Sequence, residues 1–78
     1  MSIDDIRTLT LTFAKIIEDY AEMSYAERVI VRAARDGTNH VFVGKLGITP
    51  QEILSLRERG YIVKDVSDEN FSGWMIKW

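Results

Sequence analysis

The chain has 78 residues, 46% hydrophobic and 28% charged, with a formal charge of −2. That composition describes one globular domain, residues 1–78, rather than a disordered tail, and its mild acidity argues against general nucleic-acid affinity without suggesting a nucleic-acid mimic. With no cysteine and a single histidine, His40, disulfides and thiolate or histidine metal sites are excluded, so stability has to come from tight packing or oligomerisation.

The opening "MSIDDIRTLT" carries acids where a secretion signal needs a basic start. No apolar run reaches membrane-spanning length. The expectation is a cytoplasmic protein. Ser2 with Asp5 has capping-box spacing, and Asp4 and Asp5 suit the positive end of a helix. Behind them Ile6, Leu9, Phe13, Ile16, Tyr20 and Met23 follow one another at spacings of three and four, an a/d seam on an amphipathic helix. A helix of about 20 residues spans roughly 30 Å. That is long for so small a domain, and part of the seam is expected to pair with another copy, most simply in a dimer.

Ser24 and Glu27 form a second capping pair, so the chain should bend at Met23–Ser24. The next helix is expected to bury Tyr25, Val29, Ile30, Ala33 and Ala34 and to close at Gly37. "DGTNH" reads as a turn, and "HVFVG", His40 to Gly44, as a strand of β-branched and aromatic residues. "GKLG" reads as a further turn. Thr49-Pro50-Gln51-Glu52 is the most specific local signal: a capping threonine, proline at the first helical position and a glutamate that completes the box. The helix it starts should bury Ile53, Leu54 and Leu56 and end at Gly60. "YIVKDV", Tyr61 to Val66, is a second strand, "SDENFS" a polar loop, and "GWMIKW" a third strand with Trp74, Ile76 and Trp78 on one face.

The order is α-α-β-α-β-β, an α+β fold with a small three-stranded sheet, helices on one face and a long N-terminal amphipathic helix. Placing the terminal strand in the middle would make the sheet wholly antiparallel, but the sequence leaves strand order open.

No constellation of catalytic type emerges. His40 has no nucleophile signature beside it, and the five glycines never fall at phosphate-loop spacing. Asp65, Asp68 and Glu69 look like a solvated hairpin rim. The expectation is a non-enzymatic protein needing neither metal nor cofactor. A winged-helix DNA binder would need a basic recognition helix, whereas "TPQEILSLRERG" balances Glu52 and Glu58 against Arg57 and Arg59.

The densest positive charge is Arg28, Arg32 and Arg35, which helical spacing places along one stripe. His40 or Lys45 could extend it. Guanidinium forks match phosphate oxygens in a bidentate manner, so the stripe is a candidate site for an anionic small molecule or an acidic protein surface. The alternative is a solvated face partly paired with Glu27 and Asp36. Copies meeting about a two-fold axis would double the charge around one pocket.

Over residues 28–78, Ile30-x-x-Ala33-Ala34-x-x-Gly37, then a strand and short helix, Gly60-Tyr61-x-Val63 and the closing Ile76-Lys77-Trp78 resemble a class of small proteins of tailed bacteriophages. The resemblance implies an accessory, counter-defence role in the host cytoplasm. Such a role is filled by sequestering a nucleotide immune signal or by binding a host defence protein. It supplies no catalytic residues.

Overall fold

The computed structural model describes residues 2–12 and 22–78. Phe13, Ile16 and Tyr20 of the seam lie outside them. The elements run α1 (Ile3–Thr12), α2 (Tyr25–Arg35), β1 (His40–Gly44), a single 3-10 turn (Lys45–Gly47), α3 (Pro50–Glu58), β2 (Ile62–Ser67) and β3 (Ser72–Lys77). This is the α-α-β-α-β-β order of an α+β fold.

Local chemistry sets the helix ends. Ser2 Oγ accepts from the Asp5 N–H and Ser24 Oγ from the Glu27 N–H, both at 3.2 Å. Around Thr49 the capping box is complete. Its hydroxyl accepts from the Glu52 N–H at 3.1 Å, and the Glu52 carboxylate accepts from the Thr49 N–H at 3.3 Å. Both α2 and α3 end in the same way. Thr38 N–H donates to Ala33 O and Gly37 N–H to Ala34 O, while Tyr61 N–H donates to Leu56 O and Gly60 N–H to Arg57 O. These paired bonds require a left-handed residue after the cap, and Gly37 and Gly60 supply it with φ of 84° and 98°.

The strands order as β1-β3-β2, with β3 in the middle and both pairings antiparallel. The C-terminal strand is therefore the centre of the sheet. Val41, Ile76 and Val63 lie side by side across it. Ile76 is fully buried. Helix α1 packs on α2, α2 on β1 and α3 on β2, so the helices cover one face. The core joins Ile6 and Leu9 of α1, Ala26, Ile30, Val31 and Ala34 of α2, and Ile53 and Leu56 of α3 to the inner face of the sheet. Trp78 ties the chain end back to α1: its Nε1–H donates to Thr10 Oγ1 at 2.9 Å, and its backbone N–H donates to Asn39 O.

Three sequence expectations are corrected here. Ile6 and Leu9 of α1 and Met23 just before α2, read as interface positions, are buried in the chain's own core, where α1 packs on α2. Tyr25 is 63% exposed: α2 turns Ala26, Ile30, Val31 and Ala34 inward, which leaves Val29 and Ala33 only half-buried. Leu54 is exposed too, since α3 meets the sheet through Ile53 and Leu56 alone. Trp74 and Trp78 share the inner face with Ile76, as their spacing implies, and are half-buried.

Candidate functional site

Helix α2 presents two faces of opposite character. Its buried face is small and aliphatic, so the helix lies close against β1. The outward stripe is Tyr25, Arg28, Arg32 and Arg35, all exposed and spaced three, four and three apart, so that they stack along one side. Among the described residues no acid stands at a position of the stripe. Glu27 is half-buried off the stripe, where it accepts from Ser24 Oγ at 3.3 Å and faces the Arg59 guanidinium at 3.9 Å. Arg28 Nε–H donates to Met23 O at 3.1 Å, which holds this guanidinium at the head of the helix. Arg32 and Arg35 sit in the last turn, where cations complement the helix dipole.

Tyr25 heads the stripe and opens it onto a groove. The groove is lined by Tyr25, Gly44, Lys45, Leu46, Gly47 and Ser72 and encloses about 460 Å³. That falls within the range of small-molecule sites. Gly47 matters to its shape, because a Cβ there would lie 2.9 Å from Val43 Cγ1 and 3.1 Å from the Tyr25 ring. Leu46, on the rim, is fully exposed.

The five residues singled out from the sequence do not form one cluster. Arg28, Arg32 and Arg35 share the α2 stripe. Lys45 lies in the groove that Tyr25 shares, where its Nζ–H donates to Asp65 Oδ2 at 2.8 Å and its ammonium sits 4.9 Å from the Trp74 ring centroid. The bond from Lys45, aided by one from Ser67, holds the Asp65 carboxyl below the usual carboxylate range. His40 is at the other end of β1, roughly 16 Å away at strand rise. It lies on the outer face of the sheet, with its ring edge-on to Phe42 at 5.9 Å and Nδ1 3.2 Å from Asn39 Oδ1. Tyr25 was missed as a site residue because an aromatic next to a helix cap is ordinarily counted with the core.

The acids read as a hairpin rim hold the chain in place. Asp68 Oδ1 accepts from the N–H groups of Asn70 and Phe71, both at 2.8 Å. Among the described residues no three His, Asp or Glu side chains are grouped to hold a metal ion, and no helix is long and apolar enough to cross a membrane. The buried Tyr61 hydroxyl has no hydrogen-bond partner among the described residues, and burial pushes its pKa up to about 12. No known family model, curated protein or solved structure matches the chain.

Proposed function

We propose that this protein is a non-enzymatic binder of a phosphorylated small molecule, taken along the outward stripe of α2. The observation that supports the reading is the uninterrupted sequence of exposed side chains Tyr25, Arg28, Arg32 and Arg35 in a chain whose net charge is negative. Guanidinium forks accept phosphate oxygens in pairs. At the head of the stripe the tyrosine ring and its groove offer an apolar wall to the uncharged part of the ligand, such as a nucleobase. The resemblance of residues 28–78 to small phage proteins adds a biological setting: the ligand is a nucleotide immune signal, and sequestration of it counters host defence.

A thermal-shift panel of linear and cyclic nucleotides, with inorganic phosphate as reference, tests this, because a ligand that binds only the folded state raises the melting temperature. Arg28→Gln, Arg32→Gln and Arg35→Gln should all fold. At least one should lose about tenfold or more in affinity, as expected for removal of a charge-assisted contact. A panel in which nothing raises the melting temperature, or three variants that bind as the parent does, overturns the reading. Sedimentation with and without the best ligand shows whether two copies close around it.

A further inference from the structure

The sheet has a second face, and among the described residues no helix packs on it. Three rings line up along its β1 side: His40 edge-on to Phe42 at 5.9 Å, and Phe42 edge-on to Phe71 at 6.2 Å, with interplanar angles of 86° and 84°. Phe42 is 54% exposed and Phe71 38%. Beside them β3 contributes Met75 and Lys77, and β2 contributes Lys64 across from Met75. The strand positions of this face carry Lys64 and Lys77 as their only full charges.

We propose that this open face binds single-stranded nucleic acid, with bases stacking on Phe42 and Phe71 and phosphates meeting Lys64 and Lys77. Three properties favour that occupant. The strand positions of the face carry only cationic charge, Lys64 and Lys77, although the chain as a whole is acidic. The edge-to-face rings are not stacked on one another, and Phe42, 54% exposed, keeps ring surface open to a base. Aromatic side chains on an antiparallel sheet with cations alongside are a general means of holding unpaired bases without reading their order. A second copy is disfavoured, since two such faces laid together would bring four lysines into one layer with no acid at the strand positions between them. Asp68 and Glu69 sit in the β2–β3 loop at the Phe71 end. They confine the site to two or three nucleotides running toward His40 and Lys77.

This proposal rests on a different surface from the α2 stripe, and its test separates the two. Fluorescein-labelled decamers of uridine and of thymidine are titrated with the protein in low salt and followed by anisotropy, alongside an abasic decamer with the same phosphates. The base-bearing decamers should bind and the abasic one should bind several-fold more weakly. The ribose and deoxyribose arms identify which sugar is preferred. Phe42→Ala should fold, because its ring is half in solvent, and should weaken binding about 5- to 150-fold, the range for losing one stacked base. With two phosphate contacts, affinity should fall about sevenfold between about 50 and 200 mM salt. Lys64→Gln with Lys77→Gln should flatten that dependence. The triple Arg28→Gln, Arg32→Gln, Arg35→Gln variant should keep the preference for base-bearing over abasic decamers, which Phe42→Ala should lose.

The proposal fails if the parent binds no decamer in low salt, if the abasic strand binds equally, or if Phe42→Ala changes nothing. It also fails if the parent sediments as a dimer that Phe42→Ala dissolves, which would give the face to a second copy, or if only acidic peptides compete for it.

Discussion

The two faces of the β1-β3-β2 sheet are built from similar residue types and have opposite surroundings. Toward the helices stand Val41, Val43, Val63, Trp74 and Ile76; away from them stand Phe42, Ile62, Val66 and Met75, with His40 and two lysines. Val43, Val63 and Ile76 are almost wholly buried, while Phe42 and Ile62 are about half exposed. The difference teaches that hydrophobicity alone does not place a strand residue in this molecule. What decides it is which face α2 and α3 reach. A small domain that leaves phenylalanines in water forgoes burial it can ill spare, and that exposure is the ground for proposing a ligand there.

The largest effect should come from breaking the inner face at its centre. Ile76→Ala empties a fully buried site on the middle strand and should cost about 2–5 kcal/mol, enough to leave so small a domain partly unfolded at room temperature. Phe42→Ala, on the outer face, removes a larger side chain and should cost less than about 1 kcal/mol, because its ring is already half in water. Urea melts of the two variants read both numbers. Equal losses would mean that the outer face contributes to folding as much as the inner one.

The next effect is set by Tyr61, whose hydroxyl is buried against the inner layer without a partner among the described residues. Burial raises its pKa from 10.0 to about 12, so the folded chain holds this proton more tightly than the unfolded one. The corresponding stability is intact below pH 10 and drains away as the pH climbs from 10 toward 12, by about 3 kcal/mol in all. Tyr61→Phe should abolish this part of the alkaline loss. At neutral pH it should be neutral or stabilising by up to about 1 kcal/mol, since it removes an unpaired buried hydroxyl. Melts of parent and variant at neutral pH and near pH 11 test both statements. A Tyr61→Phe protein that loses stability at neutral pH would show that the hydroxyl has a partner after all.

Much of the inner architecture was legible because local chemistry dictates it. Thr49-Pro50-Gln51-Glu52 announces a helix start, and glycine at positions 37 and 60 announces two helix ends, whatever the tertiary fold. The phase of α2 was harder to read. Tyr25, Val29 and Ala33 form one apolar row and Ala26, Ile30 and Ala34 another, and the sequence expectation draws on both: Ile30 and Ala34 are buried, Tyr25 is not, and Ala26 is the inward residue it omits. Packing chose the row headed by alanine, which permits closer approach to β1. The α2 arginines were found because their spacing survives either choice. The outer sheet face was not found. In "HVFVG" both alternating sets are apolar, so periodicity cannot say which set the helices cover. Its aromatic row also depends on Phe71, a loop residue whose ring is brought over the sheet by contacts distant in the sequence.

Those contacts supply the smallest and most discriminating test. Gly44 and Gly73 are directly opposite each other across β1 and β3, and from sequence alone they look interchangeable. They are not. A Cβ on Gly44 would meet nothing within 4 Å, whereas one on Gly73 would collide with the Val43 carbonyl oxygen and come 2.5 Å from Cζ of Phe71. Gly73 is bare so that the Phe71 ring can lie over the strand beside Phe42, and so that β1 can approach closely. Gly73→Ala should therefore cost about 1–3 kcal/mol through overpacking and should push Phe71 off the aromatic row. Gly44→Ala should be neutral or add about 0.4–1 kcal/mol by narrowing the unfolded ensemble, since its φ of −63° suits alanine. Thermal melts of the two variants give the stability contrast, and the ring protons of Phe42 and Phe71 in NMR spectra report whether the row is intact. If Gly73→Ala melts with Gly44→Ala and leaves those signals in place, the ring does not rest on Gly73. The outer face would then lose the feature that aligns its aromatic side chains.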